Sequence, residues 1–282
     1  MLGFLYPEDM LLLIFLRGLF LLLLGVYLIV FVVALLFSDR LIFQPQRPGY
    51  RDSAGILKLN SSNGARISAR YLANPNATFT ILFSHGNAED IGDDQVLMDG
   101  MRSAGFAVFA YDYQGYGTSE GKPSERRAYK DEDAAYDYLV RTLHTQPNKI
   151  IAFGRSLGGG PATDLASHRR VAGLVLESSF TSAFRVLTRV PVLPFDKFDN
   201  LGKIKDVHCP VLIIHGTQDS VINLSHGRGL FAAANDPKQA LWVEGANHND
   251  VAFVAGSRYG KSLREFADLV QQYHQEGASQ GR

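Results

Sequence analysis

From residue 79 onward this 282-residue chain alternates short apolar runs with stretches of helical length, and that alternation leaves little choice of architecture. The runs are Phe79–Phe83, Phe106–Tyr111, Ile150–Phe153, Ala172–Leu176, Val211–Ile214 and Ala240–Val243. Runs of about 4 to 8 residues, apolar on both faces, suit strands buried inside a parallel sheet. The stretches Glu125–Leu143, Leu157–Ser167, Ser225–Ala234 and Gly256–His274 have helical length and amphipathic character. The pattern predicts a three-layer α/β domain with a mostly parallel central sheet flanked by helices. Upstream, Ile56–Asn60 and Arg66–Leu72 flank the turn signal Asn63-Gly64, which predicts an antiparallel hairpin at a sheet edge. Ligands bind such sheets beyond the carboxyl ends of the strands, so the chemistry should lie there.

Several of those ends carry polar, glycine-rich sequence. The run Ile150–Phe153 leads into Gly154-Arg155-Ser156-Leu157-Gly158, a G-x-S-x-G pentapeptide in strand-turn-helix context. Small residues around the serine let the strand and helix approach, and the tight turn pushes the hydroxyl into the cleft. A serine hydroxyl is a weak nucleophile at neutral pH and needs a base within hydrogen-bond reach. The order Ser, then acid, then His is met by Asp219, after the run Val211–Ile214, and by His248, after Ala240–Val243. His248 would take the proton from Ser156, and Asp219 would hold the tautomer and stabilise the imidazolium. The loop Ser84-His85-Gly86-Asn87-Ala88 follows the first buried run. It predicts an oxyanion hole built from the backbone N–H groups of Asn87 and Leu157. Losing one such donor typically costs on the order of 10²–10³ in kcat.

Other histidines compete for the role of base. His144, His168 and His274 fall in predicted helices or at their ends and read as surface residues. His208 precedes a strand, at the wrong end of the sheet. His215 and His226 lie close enough to the strand ends to be alternative bases. Asp250 is an alternative acid, although it stands too near His248 in sequence for the usual geometry. His85 reads as a brace for its loop. The insertion between Ser178 and Val207 is too short for a large lid. Its apolar segment Val190–Phe195 is open to three readings: an acyl pocket, a bilayer contact, or packing.

The N-terminus is of another kind. Met10 to Phe37 is apolar except for Arg17, and Gly18–Phe37 is an uncharged run of about 20 residues, the length a helix needs to cross a bilayer. The run ends in bulky residues rather than the small ones of a cleavage site, which favours a retained single-pass anchor over a cleaved signal peptide or a core helix. The expected organisation is an anchor over residues 1–40 and a catalytic domain over 41–282. Arg40, Arg47 and Arg51 lean the count of flanking charges toward a cytoplasmic domain, but a large domain can be translocated regardless. The sequons at Asn60, Asn76 and Asn223 matter only in a eukaryotic lumen, so the membrane face stays open.

Lys plus Arg equals Asp plus Glu, at 28 each, so nothing in the charge balance calls for a nucleic acid partner. The lone Cys209 can form no intramolecular disulfide, and no Cys/His spacing suits zinc. No metal is expected.

Taken in order, Ser84–Ala88, Tyr111–Ser119, Gly154–Gly159 and Cys209–Asp219 resemble the α/β-hydrolase-domain proteins of the group that includes the protein depalmitoylases and their single-pass membrane relatives. The resemblance covers roughly residues 38–275. It implies the α/β-hydrolase fold and a cofactor-free serine esterase or thioesterase that works through an acyl-enzyme on lipid-like or protein-linked acyl substrates. The depalmitoylases are anchored through a cysteine-rich N-terminus, which this chain replaces with an apolar helix. A serine peptidase-like hydrolase and a non-catalytic scaffold are the alternatives.

Overall fold

The computed structural model describes residues 7–279. The chain divides into two compact units, the first ending at Ile42 and the second beginning at Phe43. The first is one helix, α1 (Pro7–Ile42). At 1.5 Å per residue its 36 residues extend about 54 Å, which is long and apolar enough to cross a membrane. Glu8 and Asp9 in the first turn and Arg40 in the last complement the helix dipole.

The second unit runs through β1 (Leu57–Asn60), β2 (Arg66–Leu72), β3 (Thr80–Ser84), α2 (Gln95–Ser103), β4 (Ala107–Tyr111), α3 (Glu125–Asp137) and β5 (Ile150–Arg155). It continues through α4 (Gly159–His168), β6 (Gly173–Glu177), α5 (Arg185–Thr188), α6 (Asn200–Lys203), β7 (Val211–Gly216), α7 (Leu224–Ala233), β8 (Lys238–Val243), α8 (Val251–Ala255) and α9 (Ser257–Ser279). The described strands form one sheet in the order β1-β2-β4-β3-β5-β6-β7-β8. The pairs β1·β2 and β2·β4 are antiparallel, and the rest are parallel. This is the α/β-hydrolase fold, with the predicted hairpin at one edge.

The central strands are apolar because both their faces are covered. Every residue of β3, β4, β6 and β7 is buried. On one face Phe83, Phe153 and Val175 pack with Met98 and Met101 of α2 and with Phe266 and Val270 of α9. Each large side chain fully withdrawn from water contributes roughly 1.5–3 kcal/mol before entropy is counted. The register sets the strand ends side by side: Ser84 lies beside Gly154, Glu177 beside Ile214, and Gly216 beside Val243. The loops after β3, β5, β7 and β8 therefore leave one edge of the sheet.

Helix α2 has no counterpart in the sequence reading, since only Met98 and Met101 of its nine residues are buried and its apolar signal is short. Helix α3 begins at a Ser124 cap, whose side chain accepts from the Arg127 N–H, and gives way at Tyr138–Thr142 to a π turn. The predicted stretch Gly256–His274 is preceded by α8. The break between α8 and α9 falls at Gly256, whose φ of +55° suits a residue without a Cβ.

Candidate active site

Ser156 follows β5 with a φ of +51°, a left-handed conformation that costs a non-glycine residue on the order of 1–3 kcal/mol. Packing holds it there. A Cβ on Gly154 would lie 2.3 Å from the Gly158 carbonyl oxygen, and one on Gly158 would lie 2.0 Å from that of Ser84. The two glycines let β5, the 3₁₀ turn Ser156–Gly158 and the end of β3 touch backbone to backbone. The serine is left half-buried at the head of that turn.

His248 and Asp219 come to it from the loops after β8 and β7. The Ser156 hydroxyl donates to His248 Nε2 at 3.0 Å, and His248 Nδ1–H donates to Asp219 Oδ2 at 2.8 Å. The tautomer follows from the network, because a carboxylate can only accept. Asp219 Oδ1 takes the backbone N–H groups of Val221 and Ile222 at 2.9 and 2.7 Å. Burial pushes the Asp219 carboxyl up, but hydrogen bonds from His215 and His248 and from the Ile222 N–H outweigh it and hold the group well below the usual carboxylate range.

The remaining sequence candidates take other positions. His215 is fully buried; its Nε2–H donates to the Ile222 carbonyl at 2.8 Å and lies 3.3 Å from Asp219 Oδ2. It thus supports the acid from the far side. His226 bonds Thr181, with Nδ1 2.9 Å from Thr181 Oγ1. Asp250 Oδ1 accepts from the Asn247 N–H at 2.7 Å and shapes the loop that carries His248. Asn247 itself has no counterpart among the sequence candidates. Its Oδ1 accepts from the His248 N–H at 2.7 Å and from both the N–H and the hydroxyl of Ser220 at 2.9 Å, joining the loops that carry His248 and Asp219. Nothing in sequence separates that asparagine from any other turn residue. Val190 and Val192 are 58 % and 49 % exposed, which removes packing as the reading for that part of the insertion.

The loop after β3 passes over the serine: a Cβ on Gly86 would lie 3.4 Å from Ser156 Cβ. The Gly86 N–H is occupied by Glu89 Oε1 at 2.6 Å. Asn87 Oδ1 accepts from the Gln44 N–H at 3.0 Å and the Tyr116 hydroxyl at 2.6 Å, and Ala88 has a φ of +60°. His85 is fully buried, with Nδ1–H donating to the Gly86 carbonyl at 2.7 Å, and its own carbonyl accepts from the Tyr113 hydroxyl at 2.7 Å. His85 thus braces the loop. Leu157 follows Ser156 at the head of the turn, where backbone N–H groups have no partner one turn earlier.

A buried ionic cluster ties this loop to the elbow. Arg155 Nη1 meets Glu89 Oε2 at 2.7 Å and Asp94 Oδ1 at 3.2 Å, and Nε lies 3.5 Å from Glu177 Oε1. Burial works against the Arg155 charge, but Glu89, Glu177 and Asp94 hold it on. Three carboxylates around one cation cannot all stay ionised cheaply. Burial, with Glu89 alongside, pushes Asp94 up to about 8. Among the described residues no group of three or more His, Cys, Asp or Glu side chains converges to hold a metal ion.

Comparison with known proteins gives these features relatives. A family model described as serine aminopeptidase, S33, matches residues 75–194, which include Ser156 and Asn87 but end before Asp219 and His248. Alpha/beta hydrolase domain-containing protein 17B of Xenopus tropicalis is 41% identical over 226 residues, covering 79% of this chain and 77% of that protein. The human protein of the same name is 40% identical with the same coverage. Among solved structures, the esterase Pf2001 of Pyrococcus furiosus is similar with a TM-score of 0.68 at 17% identity, over 80% of this chain and 98% of its own. The esterase RhEst1 of Rhodococcus sp. gives 0.59 at 22% identity, over 75% and 98%. These structural likenesses show the fold.

Proposed function

The chain belongs to the α/β-hydrolase domain-containing family that includes protein 17B, and on that premise we propose that it is a serine hydrolase cleaving carboxylic ester or thioester bonds. The observation that carries this reading is the pair of hydrogen bonds running from Ser156 through His248 to Asp219. Ser156 attacks the acyl carbon as His248 Nε2 takes its proton, and the same imidazole returns that proton to the leaving oxygen or sulfur. Asp219 holds the Nδ1–H tautomer and balances the imidazolium. Water then repeats the cycle on the acyl-enzyme. The backbone N–H groups of Asn87 and Leu157 receive the oxyanion, with the Arg155–Glu89–Gly86 connection keeping the first of these in place.

The apolar helix α1 gives the domain a single-pass membrane anchor, with residues 1–40 as anchor and 41–282 as catalytic domain. A domain tethered at a bilayer meets acyl groups of lipids and acylated proteins at high local concentration, which favours an acyl substrate over a polar one. The serine aminopeptidase match supports a second reading, a peptidase using the same three residues. Activity profiling separates them. Purified full-length protein should hydrolyse acyl esters and thioesters of graded chain length and take up a fluorophosphonate at Ser156. Cleavage of aminoacyl amides in preference to esters would favour the peptidase, and absence of labelling would discard both.

A further inference from the structure

Next to the acid of the triad, α5 and the segment Asp219–Ser225 bound a cavity of about 470 Å³. Arg185 and Arg189, one helical turn apart, both line it. Neither guanidinium has an ion-pair or hydrogen-bond partner among the described residues, and Arg185 Nε is buried with nothing to donate to. Arg189 is exposed to solvent, so the Arg185 Nε is the group that burial leaves without an acceptor, whereas the half-buried Arg155 is paired with Glu89 and Asp94. A guanidinium N–H withdrawn from water without an acceptor is costly, and its planar fork suits a ligand with two oxygens.

The rest of the lining points the same way. Asp219 is the only acidic residue in it, and its carboxylate is unavailable. The Asp219 side chain is 0% exposed, and both its oxygens are taken by Val221, Ile222 and His248. His226 Nδ1 accepts from the Thr181 N–H at 3.3 Å, which leaves Nε2 to carry the proton. Burial, then His215 and Arg185, holds the His226 imidazole below its ordinary value, so it serves as a neutral donor. The Ser225 hydroxyl and the Asn223 side-chain N–H have no acceptor among the described residues, since Asn223 Oδ1 is the atom that caps Ser225 N–H. The cavity therefore gathers two guanidinium forks and several neutral donors, with no available carboxylate in its lining. It adjoins the catalytic loops, because Ser220 in its wall bonds Asn247, the neighbour of His248.

We propose that this cavity is an anion subsite, and that it receives a phosphate or carboxylate group carried by the substrate away from its scissile ester. The identity of the carrier rests on the serine-hydrolase reading; the anion site itself does not.

Two measurements separate these claims. In the first, full-length Ser156→Ala protein in neutral detergent is titrated with glycerol 3-phosphate by calorimetry. Saturable binding is expected, weakened by roughly 10-fold or more in the Arg185→Gln/Arg189→Gln variant, since charge-assisted hydrogen bonds to the anion are lost. Arg185→Lys, which keeps the charge and loses the fork, should fall between. Binding that is absent, or indifferent to both arginines, would overturn the site. In the second, the active protein is given butyryl-glycerol phosphate and the neutral butyryl glycerol. The ratio of kcat/KM for the anionic over the neutral ester should fall about 10-fold or more in the double variant, through KM. Arginine-dependent binding with an unmoved ratio, and inorganic phosphate bound as tightly as glycerol 3-phosphate, would overturn the substrate assignment in favour of a free anion. Arginine-dependent binding with neither ester hydrolysed would support the site and count against the hydrolase reading.

Discussion

The proposed triad assigns Ser156, His248 and Asp219 unequal work, and substitutions should test it. Ser156→Ala and His248→Ala remove the proposed nucleophile and the proposed base and should each lower kcat by about 10⁴ or more. Ser156→Ala should melt near the parent temperature, because it leaves no large cavity, whereas His248→Ala also takes a hydrogen bond from the buried Asp219 carboxylate and should melt lower. Asp219→Asn keeps the geometry and spoils the tautomer, for a loss on the order of 10⁴. His215→Gln is the discriminating variant. It removes one of several contacts to Asp219, so a loss nearer tenfold is expected on the scale of one hydrogen bond to a charged group. Stopped assays on purified variants check the series, and a His215→Gln loss as deep as that of His248→Ala would reassign the base. The depressed Asp219 value also has a linkage consequence. Its contribution to stability is present above the unfolded carboxylate value near 3.9 and is lost as pH falls through the lower folded one. Asp219 thus stays ionised through neutral pH, and the acid limb of the rate profile belongs to other groups.

At the scale of elements, the elbow and the ionic cluster beside it are separate devices. Gly158→Ala drives a Cβ into the Ser84 carbonyl, so β3 and the turn must part. A loss on the order of 3 kcal/mol is expected, read as a lower Tm together with lost fluorophosphonate labelling. Asp94 tests the cluster. Its folded value, about 8, lies above the unfolded one near 3.9. The stability it contributes is therefore full below the unfolded value and is lost as pH rises through about 8. Asp94→Asn mimics the neutral acid. Thermal melts should show the variant close to the parent at pH 5 and several degrees above it at pH 9, since roughly 1 kcal/mol moves a domain of this size by about 2–4 °C. A variant that tracks the parent at both pH values would mean that Asp94 titrates normally.

For the whole molecule, the two units make different demands on solvent. The hydrophobic core among the described residues lies between Phe43 and Val270, while most apolar side chains of α1 are exposed. Removal of residues 1–37 should therefore give a soluble domain with a cooperative melt and intact hydrolysis of a small water-soluble ester. The full chain should stay with membranes through alkaline carbonate extraction. A truncated domain that aggregates would show that the helix completes the fold rather than anchoring it.

Local chemistry settled much of this in advance. Short runs apolar on both faces became parallel strands, buried except at the sheet edge, where only Val243 of β8 is buried and Ala240 is exposed, and Gly154-x-Ser156-x-Gly158 between a strand and a helix had to make a tight turn. The order Ser156, Asp219, His248 follows from strand ends, which sequence can count. An uncharged stretch as long as Gly18–Phe37 is legible because bilayer thickness is a fixed length. What sequence does not carry is which polar side chains share a neighbourhood. His215 and His248 looked like rivals, and only the pairing of β7 with β8 put them on opposite sides of one carboxylate. Glu89 and Asp94 of one loop, Arg155 of β5 and Glu177 of β6 come from three separate segments and meet because strand register sets the ends of β3, β5 and β6 side by side. Asn247, bridging the loops of Asp219 and His248, and Arg185, with a buried Nε that has no acceptor, are ordinary letters in the chain. Their roles arise from distances across the fold, which periodicity cannot encode and packing alone decides.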